Sequence, residues 1–196
     1  WEQPDPAEIV ALRSSADWDA LRNRYAAPGR DRPFGRCLEV ARLGGATTAV
    51  IETRYIDSDY RSEFSVFHSK TFAPVPDTTH RLHFFTQAIG AEHLGRLPDD
   101  PGYVGYVVVR STSSTLGPTL SRLGTVGRTM LQPPPEMHSA VRTLVKGRVN
   151  FFGEALEVEA APFMEQDTRL LRCAHVAAWM YHRPRRRQRP PRPPQM

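Results

Sequence analysis

The residues with the clearest chemical potential lie late in the chain, in the stretch MEQDTRLLRCAHVAAWM at positions 164–180. Cys173 opens a run of helix-forming residues, and the sequence predicts a helix over about 172–182. A thiol in the first turn of a helix lies beside free backbone N–H groups and the positive end of the helix dipole. Both features, and the neighbouring Arg172, favour the thiolate, which is the form that attacks carbonyl carbons. We therefore predict that Cys173 is a nucleophile.

A glutamine upstream of this cysteine supplies a second group suited to acyl chemistry. Gln166 lies a short loop before Cys173. Its side-chain amide could donate a hydrogen bond to the oxyanion of a tetrahedral intermediate, and the backbone N–H of Cys173 could be the second donor. The pair predicts a nucleophile and an oxyanion donor of an acyl-transfer site.

This arrangement resembles the papain-like cysteine peptidases, including bacterial members, in which an oxyanion-hole glutamine precedes a nucleophilic cysteine at the start of a helix. The matching residues are Gln166, Cys173 and the small-residue helix 174–179. The resemblance covers residues 163–182 and implies cleavage or transfer at peptide or isopeptide bonds of a peptide or protein substrate. It also implies an incomplete papain-like half at the C-terminus, beginning near residue 161.

The catalytic histidine of that family lies on a strand well after the nucleophile helix, and this sequence offers no matching position. His175 is rotated by about 200° from Cys173 on a helix, and His182 lies on the opposite face about 13 Å further along. The other histidines can approach the thiol only through tertiary folding; they are His68, His80, His83, His93 and His138. We therefore expect a sequence truncated after the nucleophile helix, from an incomplete or frameshifted gene, and little or no peptidase activity.

Plainer interpretations of the same residues remain open. A cysteine at the start of a helix is often a buried small residue, and Asp167 or Thr168 can serve as an ordinary N-cap. The alternative function is a non-catalytic α+β binding module whose basic, proline-rich tail recruits a protein or nucleic-acid partner.

The charge of the chain is concentrated in its last residues. The segment RPRRRQRPPRPPQM at 183–196 contains six arginines and no acid, so removing it changes the net charge from +5 to −1. The near-neutral remainder argues against nucleic-acid binding outside the tail. The tail itself is read as a disordered, solvated end, with a polyproline ligand or an RNA- or lipid-binding segment as alternatives.

Cysteine content and hydropathy indicate the compartment. The chain has only two cysteines, Cys37 and Cys173, which argues against a secreted disulfide scaffold and favours free thiols in the cytoplasm. Cys37 is read as a small core residue. No apolar run is long enough to span a membrane, and no signal peptide is visible. His80 and His83 would lie on opposite faces of a strand, which argues against a shared metal site, and no cofactor is predicted.

Hydrophobic patterning along the chain predicts an α+β fold with mostly antiparallel strands, an N-terminal helix and a short C-terminal helix. The helix at 14–26 follows from Trp18, Leu21 and Tyr25 on one face. Strands are predicted near 37–42, 47–56, 60–69, 81–85, 102–110 (a central strand), 143–151 and 155–160, with a loop over 111–140. The predicted domains are 1–160 (an α+β upstream domain), 161–182 (the start of a peptidase domain) and 183–196 (the tail).

Overall fold

A computed structural model describes residues 7–25, 32–66, 69, 76–110, 125–141 and 143–165. It has the α+β architecture that the sequence predicts, with antiparallel strand pairing throughout these residues. In chain order the elements are β1 (Ala7–Ala11), α1 (Ser15–Tyr25), α2 (Arg32–Leu43), β2 (Thr48–Tyr55), α3 (Ser58–Val66), β3 (Thr79–Phe85), β4 (Tyr103–Arg110), β5 (Thr125–Val126), β6 (Thr129–Leu131), β7 (Val145–Phe151) and β8 (Glu154–Phe163). Short 3₁₀ turns occupy Ala91–His93 and Pro135–Met137.

The described strands form one sheet in the order β1-β2-β3-β4-β6-β8-β7, with β5 paired to the far end of β4. The predicted central strand is confirmed: all eight residues of β4 are buried, and its neighbours are β3 on one side and β6 with β5 on the other. A strand buried on both faces must have a layer on each side. The molecule therefore has two apolar cores separated by β2, β3 and β4.

The first core lies between the sheet and helices α1 and α2. The predicted helix α1 is confirmed, and its predicted apolar face, Trp18, Leu21 and Tyr25, is buried. The Trp18 indole stacks on Phe84 of β3 with ring centroids 6.2 Å apart. The second core lies on the opposite face, where the β7–β8 hairpin packs and Phe151 contacts Phe85 at a centroid distance of 5.3 Å.

The strand predicted at 37–42 is wrong, because these residues belong to α2. Phe34, Cys37, Leu38 and Ala41 are buried at spacings of three and four residues, which is the period of a helix face. Cys37 is a core residue as predicted, with 6% of its surface exposed.

The strand predicted at 60–69 is also wrong, because α3 occupies Ser58–Val66. The side chain of Asp57 accepts hydrogen bonds from the backbone N–H of Asp59 at 3.1 Å and of Tyr60 at 2.9 Å. This is an N-cap, so the polar residues between the two predicted strands begin a helix. Tyr60 and Phe64, four residues apart, lie on the same side with ring centroids 6.3 Å apart.

The C-terminal strands follow the prediction closely, with β7 and β8 joined by a tight turn. Phe152 and Gly153 both have positive φ, 47° and 97°, as a two-residue hairpin turn requires. The predicted loop at 111–140 is partly wrong, since β5 and β6 lie within it. The predicted domain boundary at residue 160 falls inside β8, which continues to Phe163.

Candidate functional site

The two predicted catalytic residues, Cys173 and Gln166, lie outside the described residues, as do the predicted helix at 172–182 and the tail. The last described residue, Glu165, is held against β5. Its backbone N–H donates to the Val126 carbonyl at 2.9 Å, and its carboxylate accepts the Val126 N–H at 2.8 Å. The described chain is therefore hydrogen-bonded to the sheet up to the residue that precedes Gln166.

The cysteine within the described residues, Cys37, is not activated for nucleophilic attack. The Cys37 thiol lies in the core beneath α2, and burial, with a smaller contribution from the charge of Glu165, raises its pKa to about 12. A thiol with that pKa carries almost no thiolate near neutral pH. Cys37 is therefore a packing residue and not a nucleophile.

The strongest polar cluster lies on the sheet face opposite the helices. One carboxylate oxygen of Glu52 on β2 accepts hydrogen bonds from Arg81 Nε at 2.8 Å and Arg81 Nη2 at 2.6 Å on β3. The same oxygen lies 2.6 Å from His83 Nε2, and His83 Nδ1 lies 2.9 Å from the Tyr103 hydroxyl. We call Glu52, Arg81, His83 and Tyr103 the polar cluster.

Two further contacts hold the guanidinium of the polar cluster. Arg81 Nη2 donates to the Asn150 carbonyl of β7 at 2.8 Å, and its Cζ lies 3.9 Å from the centre of the Tyr55 ring. The cluster thus joins β2, β3, β4 and the covering hairpin. It ties the second core together through hydrogen bonds that span the sheet.

The protonation states of the cluster follow from burial and from the bonds it makes. Burial lowers the pKa of His83, outweighing the opposing hydrogen bond to Glu52. Burial would raise the pKa of Glu52, but the hydrogen bond from His83 and the charge of Arg81 together bring it below its usual range. A neutral His83 that donates Nε2–H to a charged Glu52 accepts the Tyr103 hydroxyl proton at Nδ1, and this network assigns the tautomer.

Glu52, His83 and Tyr103 are linked in the order carboxylate, imidazole, hydroxyl, which is the connectivity of a hydrolase triad. Their burial excludes nucleophilic attack by the hydroxyl. His83 is completely buried, and Tyr103 is buried with a pKa raised well above 10, chiefly by desolvation. A hydroxyl sealed between Phe85 and His83 offers no approach for an acyl group. The polar cluster is therefore structural.

Three of the histidines that the sequence left as possible bases have hydrogen-bond partners among the described residues: His80, His83 and His93. His80 and His83 lie on opposite faces of β3, as predicted: His83 faces the second core, whereas His80 Nδ1 lies 2.8 Å from the Tyr25 hydroxyl of α1. His93 Nδ1 accepts the Gly90 N–H at 3.0 Å. His138 is exposed, and His68 lies outside the described residues.

A concave site lies between α2 and the paired ends of β6 and β8, with a volume of about 500 Å³. Its floor consists of two cross-strand pairs, Leu131 with Ala161 and Thr129 with Phe163. Its roof is one face of α2, where Pro33, Cys37 and Val40 follow at spacings of four and three residues. We call this cavity the α2–β8 pocket.

Two arginines stand at the α2–β8 pocket. Arg32 and Arg36, one helical turn apart in α2, are exposed, and neither makes an ion pair or hydrogen bond with another described residue. The first turn of α2 contains no acidic side chain. The pocket therefore combines apolar walls with two arginines that have no acidic partner among the described residues, and apolar walls with a few polar groups are the composition of many ligand sites.

Sequence reasoning missed both the polar cluster and the pocket. Glu52 and Arg81 are opposite charges on neighbouring predicted strands, a signal for cross-strand pairing once the register is known. The pocket was hidden because residues 37–42 were read as a strand.

No described group of three or more His, Cys, Asp or Glu side chains could hold a metal ion. Among the helices of the described ranges, none has the length and apolar character needed to cross a membrane. Comparison with known proteins gives no match to a family model, a curated protein or a solved structure.

Proposed function

We propose that residues 7–165 are a non-catalytic α+β domain that precedes the nucleophile of a papain-like cysteine peptidase or a related acyl-transfer enzyme. Cys173 would be the nucleophile, Gln166 the oxyanion donor, and the substrate a peptide or isopeptide carbonyl. The observation that carries the assignment is that the thiol and the carboxylate–histidine–hydroxyl chain of the described residues are both buried and unreactive. Its thiol, Cys37, is buried with a pKa of about 12, and its one carboxylate–histidine–hydroxyl chain is sealed. Any acyl chemistry would then fall to Cys173.

The cytoplasm is the proposed compartment, because a reducing environment keeps thiols free and the chain contains only two cysteines. His83 is unsuitable as the base because it is sealed between Glu52 and Tyr103. His80 does not match the position of that family's base, because it precedes Cys173 in the sequence whereas the family's base follows the nucleophile helix. We therefore expect the chain to carry a reactive thiol without efficient turnover of peptides.

Site-resolved alkylation of the full chain tests this proposal. The protein is treated with iodoacetamide at pH 6, and labelling of the two cysteines is followed by peptide mass spectrometry. We expect Cys173 to react about tenfold or more faster than N-acetylcysteine, because a thiol with a lowered pKa is more ionised at pH 6. Cys37 should stay unlabelled until urea unfolds the protein.

The control is Cys173→Ser, which should abolish labelling under native conditions. A rate at Cys173 no greater than that of N-acetylcysteine would remove the activated nucleophile from the proposal. Labelling of Cys37 at the same rate would instead mean that the core around α2 is open.

A second candidate function is a non-catalytic binding module, favoured by the α2–β8 pocket and by the arginines of the tail at 183–196. Deleting 183–196 should abolish binding to a fluorescent single-stranded RNA or to an isolated SH3 domain while leaving the unfolding midpoint unchanged. Equal binding of both ligands with and without the tail would count against recruitment by this segment.

A further inference from the structure

We infer that the α2–β8 pocket binds an aliphatic carboxylate, with the hydrocarbon chain between α2 and the strands and the carboxylate at Arg32 and Arg36. The inference does not rest on the proposed nucleophile, because ligand binding in the pocket is measured independently of the chemistry of Cys173.

The first argument is the shape of the cavity. A volume of about 500 Å³ lies within the range of small-molecule sites in proteins. The space exists because Ala161 contributes only a methyl group opposite Leu131, where a larger side chain would close the gap beneath α2. The small side chain at this position of β8 therefore leaves room for a ligand.

The second argument is the chemistry of the walls. Val40, Leu131, Ala161 and Pro33 present aliphatic surface, and Phe163 adds an aromatic side that is 38% exposed. Leaving this surface in water is unfavourable, and a hydrocarbon chain would remove it from solvent. Phe163 is among the most exposed large apolar residues described.

The third argument is the charge at the pocket. Two guanidinium groups one turn apart lie beside the apolar walls, with no acidic partner for either among the described residues. Glu165 acts on the Cys37 thiol, and its carboxylate already accepts the Val126 N–H. The residues that line the cavity include both arginines and no acid, and guanidinium groups bind carboxylates through paired hydrogen bonds.

These three features select one ligand class. A neutral hydrocarbon would leave the arginines unused, and a cation would be repelled. A small anion such as phosphate would leave the apolar walls exposed to water. An aliphatic monocarboxylate would remove the apolar walls from water and pair with the arginines.

Titration calorimetry of the full chain with dodecanoate below its micellar concentration tests the inference. Dodecanol and dodecyltrimethylammonium serve as neutral and cationic probes of the same chain length. We expect binding of dodecanoate, at least tenfold weaker binding of dodecanol, and no binding of the cation. An acetylated tri-leucine peptide with a free carboxylate tests whether a peptide C-terminus is the preferred source.

Two matched pairs of variants locate the site. Arg36→Glu should weaken dodecanoate binding about tenfold or more, whereas Arg42→Glu, on the same helix but outside the pocket, should leave it unchanged. Ala161→Phe should fill the cavity and abolish binding, whereas Ala155→Phe, at an exposed position of the same strand, should not. Circular dichroism identifies any variant that fails to fold.

The inference is overturned if the wild-type chain does not bind dodecanoate, if dodecanol binds equally well, or if the peptide binds and dodecanoate does not. It is also overturned if folded Ala161→Phe or Arg36→Glu binds like the wild type. None of these results would alter the labelling rate of Cys173, so the two proposals can fail separately.

Discussion

Glu52 is the acceptor on which the polar cluster depends, and replacing it with glutamine should destabilise the protein strongly. The change removes the negative charge that faces Arg81, whose side chain is 10% exposed, while Glu52 itself is 17% exposed. Breaking a buried ion pair by removing one partner costs about 3–5 kcal/mol, because the other charge stays buried without compensation. The residual exposure of both groups places the expected loss near the lower end, about 3 kcal/mol. For a domain of this size that loss corresponds to a fall in Tm of roughly 6–12 °C.

The chain offers a matched control for this substitution in Glu8, which pairs with Arg24. The two ion pairs have the same N···O distance, 2.6 Å, but Glu8 and Arg24 are 45% and 37% exposed. Exposed pairs contribute at most about 1 kcal/mol, so Glu8→Gln should have a small effect. Urea unfolding followed by circular dichroism measures both variants.

A double-mutant cycle then isolates the pair from other effects of the substitution. Removing both charges, as in Glu52→Gln with Arg81→Met, should cost less than the sum of the single changes, because no buried charge is left alone. Equal losses for Glu52→Gln and Glu8→Gln, or strictly additive effects in the cycle, would refute the view that burial makes this cluster important.

Two other predictions concern the pH dependence of stability and the packing of β4. His83 has a lowered pKa in the folded state, so on acidification the unfolded chain binds a proton before the folded one does. Stability should therefore fall as the pH drops below about 6.5, with a slope of up to about 1.4 kcal/mol per pH unit from this residue. Burial also lowers the pKa of His80, which acts in the same direction, so His83→Gln should reduce the slope in urea titrations from pH 7 to 5 without abolishing it. An unchanged slope would contradict the assignment of a neutral histidine. Gly105→Ala should cost more than about 3 kcal/mol of stability, because the φ of Gly105 is 135° and a Cβ atom there would collide with the Met130 carbonyl. The control is Gly153→Ala, at φ 97° in open space, which should cost only about 1 kcal/mol of backbone strain. Similar losses for the two variants in thermal melts would show that the close approach of β4 and β6 is unimportant.

Elements whose signals are local could be predicted from the sequence. The buried face of α1 follows from three residues at helical spacing, and β4 follows from an uninterrupted run of β-formers. The turn before Glu154 follows from Gly153, which lies between two segments of alternating apolar and polar residues. Few residues other than glycine adopt the φ of 97° that Gly153 has. The burial of Cys37 was foreseen even though its element was not, because burial depends on side-chain character more than on backbone conformation.

Features that depend on partners distant in sequence became visible only in the folded structure. The runs at 37–42 and 60–69 contain the β-branched and aromatic residues typical of strands, but short apolar runs do not distinguish a strand from a buried helix face. Packing of Phe34 and Cys37 on the sheet and capping by Asp57 resolved them as helices. Tertiary contacts also created the polar cluster, which joins residues 29 and 31 positions apart, and the cavity beneath α2. Local sequence carries conformational preference, whereas a buried hydrogen bond or a cavity exists only once the strands have taken their register.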